Sequence, residues 1–254
     1  MKKKGDTLPK FFIEKNAVNG GKCVISGGDA VHISKVLRLG VGDEVVLCDG
    51  EGTDYDAKID SVGKAEVAFS ILSEYPCQSE PKVLVTLFQG IPKASKMEYI
   101  IQKCTELGIA NVVPVMTKRT VVKLENEQAE KKKLERWNKI AQEAVKQCGR
   151  GRVPTVDAVC DIKDIKNMIS DFDLFLVAYE DEENISLKSV LKNAGAASKI
   201  GIVIGPEGGF EKAEVEMLVS AGAKSVSLGK RILRTETAGH TVLTAVLYEL
   251  GELE

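Results

Sequence analysis

The stretch Ile202-Val203-Ile204-Gly205-Pro206-Glu207-Gly208-Gly209-Phe210 joins a short apolar run to a loop rich in glycine. The run is typical of a strand that is buried on both faces of a parallel sheet. Glycine lets the backbone approach a ligand closely, and Pro206 removes an amide and fixes the turn. Because ligands bind beyond the carboxyl ends of the strands in such a sheet, this loop is a candidate binding site. A plain strand-to-helix turn with a capping role is the alternative.

A second loop of the same kind lies further along the chain, in Leu228-Gly229-Lys230-Arg231-Ile232-Leu233-Arg234-Thr235-Glu236-Thr237-Ala238. Here a predicted strand ends in a glycine, a basic loop follows, and Thr235 opens the last helix. Taken alone, Thr235 is most simply an N-cap, with the acidic Glu236 favoured by the helix dipole. Together, the two loops would place backbone amides and carbonyls from neighbouring strand ends around one small planar ligand.

The pattern of predicted secondary structure divides the chain into two parts, one of short strands and one in which strands alternate with helices. Short β-favouring stretches separated by glycine turns occupy residues 22–25, 44–48, 56–59 and 66–72, with an amphipathic helical piece at 32–39. After residue 82 strands alternate with helices, the strands at 83–88, 112–116, 172–178, 200–204 and 225–228 and the helices at 95–107, 127–147, 212–220 and 237–250. The sequence therefore predicts a small β-barrel-like domain over 1–73, a linker over 74–81 and an α/β domain with a largely parallel sheet over 82–254.

The composition indicates a soluble globular protein, since 44% of the 254 residues are hydrophobic and 28% are charged. Disordered and collagen-like architectures are excluded, and no apolar run approaches the roughly 20 residues that a membrane span needs. The basic start leads into Leu8-Pro9-Lys10-Phe11, which is no secretory signal, so we expect a cytoplasmic protein. Six cysteines without a C-x-x-C pair and only two histidines predict neither a disulfide nor a metal site.

Positive charge is concentrated in the middle of the chain. Although the formal net charge is −2, residues 82–154 carry 15 basic side chains against 7 acidic ones. Such a block is a plausible footprint for nucleic-acid phosphates, whereas the alternative is an ordinary solvated helix face. Sequence motifs for Rossmann dinucleotide binding, P-loop phosphate binding, zinc proteolysis and serine hydrolysis are missing, so those functions lose their usual support.

The Gly205–Gly209 loop and the Leu228–Ala238 segment together resemble the RsmE family, the ribosomal RNA small-subunit methyltransferases that modify N3 of a uridine in 16S rRNA. Leu8-Pro9-Lys10-Phe11-Phe12 and His32-x-x-x-Val36-Leu37-Arg38 are similar to N-terminal segments of that family. The resemblance extends through Lys96-Met97-Glu98, Gln102-Lys103-x-x-Glu106-Leu107-Gly108, Trp137-x-Lys139-Ile140-Ala141-x-Glu143-Ala144 and Gln147-Cys148-x-Arg150. Lys10 departs from the arginine common in the family and lacks its bidentate fork.

The resemblance implies an N-terminal PUA-like β-barrel for RNA binding and a C-terminal SPOUT methyltransferase domain with an α/β trefoil knot. It also implies S-adenosyl-L-methionine as the cofactor, a homodimer, and 16S rRNA, within the 30S subunit, as the substrate. By resemblance, the cofactor-binding residues are Tyr179, Glu180, Ile204, Gly205, Pro206, Glu207, Gly208, Gly209, Leu228, Gly229, Ile232, Leu233, Arg234, Thr235, Thr237 and Ala238.

Uracil N3 is a poor nucleophile until it loses its proton, so a cation beside O2 or O4 would stabilise the anion as it forms. We expect Arg234 in this role, with Glu236 orienting it or assisting proton removal; a structural ion pair is the alternative. The expected RNA-binding residues are Lys10, Phe11, Arg38, Lys93, Lys96, Lys103, Arg119, Gln147 and Arg150. Two other functions stay open, a SPOUT methyltransferase acting on another RNA and a non-catalytic RNA-binding assembly factor.

Overall fold

The computed structural model describes residues 8–14, 16–123 and 126–253. The chain forms two compact units, one made of the residues up to Glu80 with Val145–Val153, the other of Pro81–Ala144 with the residues from Pro154 onward. The division agrees with a break near residue 80. It differs from the predicted boundaries because residues 145–153 pack with the N-terminal unit.

The first unit is built on a curled five-stranded sheet. Its strands are β1 (Lys10–Phe12), β2 (Lys22–Ser26), β3 (Glu44–Cys48), β4 (Thr53–Val62) and β5 (Glu66–Pro76), in the order β1-β3-β4-β5-β2. Strands β1 and β3 are parallel and the other pairs are antiparallel, and register shifts between β4 and β5 favour curvature. A short helix α1 (Gly28–Val31) runs into a π-helical turn at His32–Val36. The predicted linker is part of β5 as far as Pro76.

The second unit alternates strands with helices, as its sequence pattern predicts. Its strands are β6 (Leu84–Gly90), β7 (Asn111–Met116), β8 (Thr155–Val156), β9 (Cys160–Asp161), β10 (Leu174–Ala178), β11 (Lys199–Ile204) and β12 (Lys224–Val226). Its helices are α2 (Lys96–Leu107), α3 (Glu127–Cys148), α4 (Ile162–Ile165), α5 (Leu187–Leu191), α6 (Lys212–Ser220) and α7 (Thr235–Glu249), with the end of α3 belonging to the first unit. None of the described helices is both long and apolar enough to span a membrane.

All strand pairs of the second unit are parallel, in the order β12-β10-β11-β6-β7-β8, and β9 also pairs with β7. Side chains of β11 alternate between two buried clusters, with Ile200 and Ile202 in one cluster and Val203 in the other. Burial on both faces explains the uninterrupted apolar run in the sequence. The carboxyl ends of β10, β11 and β12 are neighbours at one edge of this sheet.

Two of the predicted boundaries that differ from the structure lie at this edge. The last helix begins at Thr235 rather than at residue 237, because Arg234 has an extended backbone and caps it. Strand β12 ends at Val226 rather than at residue 228, which leaves Ser227 and Leu228 in the loop that follows. The earlier helix start takes residues 235 and 236 out of the loop before α7, and the earlier end of β12 adds Ser227 and Leu228 to it.

Candidate active site

A cleft of about 960 Å³ lies beyond the carboxyl ends of β10, β11 and β12. Its walls come from the segments that follow these three strands, residues 178–186, 204–209 and 227–235, together with Lys96 and Ala238. All the residues expected to bind the cofactor line this cleft except Gly208 and Thr237. The structure therefore brings together the two loops that the sequence singled out and the segment after β10 that contains Tyr179 and Glu180.

The Gly205–Gly209 loop is held in a tight turn. The N–H of Gly209 donates to the carbonyl of Pro206 over 2.9 Å, and Gly209 has a φ of +64°, a left-handed conformation that favours glycine. A Cβ atom at Gly209 would also meet the carboxylate of Glu180, so a larger residue there would have to displace that side chain as well as adopt a strained backbone. Gly208 faces elsewhere, since a Cβ on it would lie 3.1 Å from the Cβ of Arg119. These contacts fix the course of the loop along the cleft.

A buried chain of hydrogen bonds links the two loops. The Thr235 hydroxyl donates to the carbonyl of Gly205 over 2.6 Å, and Nε2 of Gln89 donates to that hydroxyl over 2.9 Å. Both Gln89 and Thr235 are buried. The sequence analysis missed Gln89, although a glutamine at the end of an otherwise largely apolar strand is the kind of signal that could have found it.

Three charged side chains form a second link at the edge of the cleft. The Nζ atom of Lys96 lies 2.9 Å from Oε1 of Glu207 and 3.3 Å from Oε2 of Glu236. Burial alone would raise the pKa of Glu207, but the Lys96 ammonium and the backbone N–H of Lys93 lower it below its usual value. Glu207 is therefore charged at neutral pH. Lys96 was expected to bind RNA, but its charge is shared by two carboxylates.

Arg234 lines the cleft and is exposed. Within the described part of the chain its side chain has no ion-pair partner. The expected pairing of Glu236 with Arg234 is wrong, because Arg234 caps α7 in an extended conformation while Glu236 lies in the first turn and contacts Lys96. Arg231 also lines the cleft and, like Arg234, has no ion-pair partner among the described residues, whereas Glu236 contacts Lys96.

The other RNA-binding candidates of the second unit differ in whether their charged groups already have a partner within the protein. Lys93 is exposed and only its backbone N–H is engaged, by Glu207. Lys103 pairs with Glu106 over 2.8 Å, and Arg119 donates to the carbonyl of Gly208 over 2.9 Å while staying exposed. Lys93 is therefore the most available of these cations.

Three of the residues expected to bind RNA, Lys10, Phe11 and Arg150, have side chains that are engaged within the first unit. The ammonium of Lys10 lies 2.8 Å from Oδ1 of Asp54 and also donates to Cys77 Sγ and to the carbonyl of Gly149. Burial alone would lower the pKa of Lys10, but the Asp54 carboxylate raises it, so the amine stays charged. Phe11 is buried in the core of the sheet, which removes it from any stacking surface.

Arg150 is the clearest correction. Only 4% of its side chain is exposed, and its guanidinium donates to both carboxylate oxygens of Glu80, the shorter bond being 2.7 Å. Glu80 also accepts the backbone N–H groups of Gly151 and Arg152, so this pair holds residues 149–152 in place. A phosphate cannot reach a guanidinium that is buried in this way. The other two RNA-binding candidates of the first unit, Gln147 and Arg38, are exposed.

Among the described residues, no group of three or more His, Cys, Asp or Glu side chains is placed to hold a metal ion. All six cysteines are free thiols, four of them buried. Buried thiols of this kind behave as small apolar side chains.

Comparison with known proteins gives a consistent result. A family model described as an RNA methyltransferase domain matches residues 79–247, and one described as an RNA methyltransferase PUA domain matches residues 25–72. Ribosomal RNA small subunit methyltransferase E of Bacillus subtilis (strain 168) is 38% identical over 249 residues, which cover 95% of this chain and 97% of the relative. This chain belongs to the RsmE family. The family resemblance and the two-part α/β fold with an N-terminal PUA domain are confirmed.

Solved structures of similar proteins extend the similarity to three dimensions. A ribosomal RNA small subunit methyltransferase E from Neisseria gonorrhoeae, bound to S-adenosyl methionine, is 28% identical, with a TM-score of 0.81 over 95% of this chain and 97% of that one. A methyltransferase from Legionella pneumophila in complex with the cofactor SAM is also 28% identical, with a TM-score of 0.79 over 96% and 98% of the two chains. The RsmE architecture therefore extends over almost the whole chain.

Proposed function

We propose that this protein transfers a methyl group from S-adenosyl-L-methionine to N3 of a uridine in the 16S rRNA of the small ribosomal subunit. The observation that carries the proposal is the cleft at three adjacent strand ends, lined by two glycine-containing loops and by an arginine without an ion-pair partner among the described residues. Membership of an RNA methyltransferase family and two cofactor-bound relatives support the same reading.

The residues of the cleft fit this cofactor. Gly229 has a φ of +101°, and a Cβ there would have no heavy atom within 4 Å, so the backbone at this point borders open space. Exposed carbonyl and amide groups of such glycine-containing loops suit the hydrogen-bonding edge of adenine, and Ile204 and Leu233 offer apolar contact. The Gly205–Gly209 and Leu228–Ala238 segments would hold the cofactor. When bound, the cofactor supplies an electrophilic methyl group on a sulfonium.

The residues of this chain would then have two tasks, positioning the uracil ring and stabilising its anion. In-line transfer is favoured when the acceptor nitrogen is held in near-attack geometry. Arg234 is a cation at the cleft that no carboxylate neutralises among the described residues, so it would stabilise negative charge on O2 or O4 as solvent water takes up the N3 proton. Proton removal by Glu236 is not part of this proposal, because its carboxylate contacts Lys96 and the residue lies outside the cleft lining.

Binding of the RNA would rest on exposed cations. A target base inside a folded RNA must leave its stack, which costs a few kcal/mol. Phosphate contacts from exposed residues such as Lys93, Arg119 and Arg38 would offset that cost. The substrate in this proposal is 16S rRNA in the 30S subunit.

The trefoil knot and the homodimer belong to the same proposal. Strand β10 lies between β11 and β12, so the chain passes to one side of β10 and then to the other, an order that supports a threaded topology. Isologous dimers are the commonest soluble oligomers. Light scattering at micromolar concentration is expected to give twice the mass of the chain, and a fully active monomer would contradict the dimer.

Nucleoside mass spectrometry tests the reaction. We expect rRNA of the small subunit from cells that lack the gene to be missing a 3-methyluridine, and purified protein with S-adenosyl-L-methionine to restore it. A different methylated nucleoside, or methylation of another RNA, would replace the substrate part of the proposal. Cofactor binding without any methylation would favour the non-catalytic assembly factor.

A further inference from the structure

Lys96 occupies an unusual position for a lysine, the first residue of helix α2. Helix N-termini carry partial positive charge, so acidic side chains are favoured there and a cation is disfavoured. The ammonium lies between the carboxylates of Glu207 and Glu236, at 2.9 and 3.3 Å. These two opposite charges offset the unfavourable position and hold Lys96 in place.

The two carboxylates belong to the Gly205–Gly209 loop and to the start of α7, which follows the second loop of the cleft. Glu207 lies in the middle of the Gly205–Gly209 loop, and Glu236 lies in the first turn of α7, two residues after Arg234. The carboxylate of Glu207 also accepts the backbone N–H of Lys93, with both oxygens within 3.3 Å. A single ammonium therefore ties the start of α2 to both of these segments at once.

Lys96 was expected from the sequence to contact RNA phosphates, but a phosphate would have to compete with Glu207 and Glu236 for its ammonium. Two carboxylates already neutralise Lys96, and about one third of its side chain is exposed (32%). Binding a phosphate would require at least one of these contacts to break. Lys93, three residues earlier, has an exposed side chain without an ion-pair partner among the described residues. The two lysines are close in sequence and opposite in their surroundings.

We propose that Lys96 is a positioning residue of the cofactor cleft, which holds the Gly205–Gly209 loop against the first turn of α7, and that it does not bind RNA. The inference rests on the proposed function for the identity of the ligand. Glu236 acts through Lys96 in this arrangement, by anchoring the ammonium from the side of α7. The tether sets the separation of the two loops, and so the shape of the cleft between them.

Hydrogen exchange of the cofactor-free protein tests the tether without reference to any ligand. Lys96→Met removes the charge and keeps most of the side chain, so we expect faster amide exchange at residues 205–209 and 235–238. Lys93→Met is the matched control and should leave both segments unchanged, and Lys96→Arg should restore slow exchange. Unchanged exchange in Lys96→Met would overturn the proposal. If Lys96→Met fails to fold, Glu207→Gln weakens the same contact and is expected to give the same pattern.

Binding measurements separate positioning from RNA contact. Titration calorimetry with S-adenosyl-L-methionine is expected to show about tenfold weaker binding for Lys96→Met and no change for Lys93→Met. The salt dependence of RNA binding should behave in the opposite way, flatter for Lys93→Met and unaltered for Lys96→Met. A flattened salt dependence with normal cofactor affinity in Lys96→Met would overturn the inference. Wild-type protein that binds no cofactor would instead overturn the proposed function, and the exchange experiment would still decide on the tether.

Discussion

Arg150 in the first unit and Arg234 in the second carry the same guanidinium group in opposite surroundings. Arg150 is buried and bonded to both oxygens of Glu80, whereas Arg234 is exposed at the cleft and has no ion-pair partner within the described residues. A buried and fully paired charge fixes the local chain, and removing its partner is costly. An unpaired cation at a cleft keeps its field available to a ligand. The two arginines therefore differ in their partners and not in their residue type, since Glu80 neutralises Arg150 and no carboxylate neutralises Arg234 among the described residues.

The strongest way to test this comparison is to remove Arg150. Arg150→Met leaves the Glu80 carboxylate in a largely buried site without its counter-charge, so the free energy of unfolding should fall by roughly 3–5 kcal/mol. Chemical denaturation followed by circular dichroism measures the loss. Normal stability combined with weakened RNA binding would mean that Arg150 is a phosphate contact after all.

The pH dependence of the free energy of unfolding gives a second test of the Glu80–Arg150 ion pair. Burial alone would raise the pKa of Glu80, but Arg150 and the backbone N–H groups of Arg152 and Gly151 lower it below its usual value. A carboxylate whose pKa is lowered by folding stabilises the protein at pH values above its unfolded pKa, and this contribution disappears as the pH falls through the folded pKa. Acid unfolding should therefore be shallower in Glu80→Gln than in the wild type.

Removing Arg234 should affect chemistry and leave stability intact. If Arg234 stabilises the uracil anion as proposed, Arg234→Ala deletes a cation that is needed only as charge develops on the ring, so turnover at saturating RNA should fall about 100- to 1000-fold. Single-turnover methylation assays measure this rate. Cofactor affinity and the melting temperature should hardly change; normal turnover would show that Arg234 has no part in the reaction.

Thr235 allows a smaller test of how the loops are held together. Thr235→Val keeps the shape of the side chain but leaves the carbonyl of Gly205 and an amide hydrogen of Gln89 without partners in a buried site, which should cost about 1–3 kcal/mol of stability. Thr237→Val is the matched control, because Thr237 is exposed on the same helix turn. Equal melting temperatures for the two variants would mean that the hydrogen-bond chain does not connect the loops.

The smallest expected effect is a difference in the salt dependence of RNA binding between variants of two cations of the first unit, Arg38 and Lys10. Arg38 is exposed, whereas Lys10 is paired with Asp54. If only free cations contact phosphates, Arg38→Met should reduce the slope of log K against log salt by about 0.7–0.9 for RNA binding. Lys10→Met should leave the slope unchanged. Filter binding over a salt series measures both slopes, and the reverse ranking would contradict the distinction between free and paired cations.

The sequence was informative where function depends on contiguous residues. The Gly205–Gly209 and Leu228–Ala238 segments could be predicted because a buried strand, a glycine and a capped helix are local features that follow the chain. The roles of Lys10 and Arg150 could not, because Asp54 and Glu80 lie far away in sequence and only folding brings them together. Counting charges over residues 82–154 likewise gives no indication of which cations are already neutralised.

Gln89 was missed for a related reason. A single glutamine at the end of a strand is compatible with solvent, a turn or a buried contact, and its bond to Thr235 spans 146 positions of sequence. Such a contact depends on which strand ends become neighbours in the sheet. The parallel order β12-β10-β11-β6 decides that, and strand periodicity alone does not.

The central claim is that the loops after β11 and β12 form the cofactor site, and titration calorimetry with S-adenosyl-L-methionine tests it most directly. Gly229→Val adds a side chain at the cleft, and Gly222→Val imposes a similar backbone penalty outside the cleft lining, since their φ values are +101° and +112°. We predict that the wild type and Gly222→Val bind one cofactor per chain, and that Gly229→Val, while still folded, binds at least tenfold more weakly. Equal affinity in all three proteins would contradict the claim.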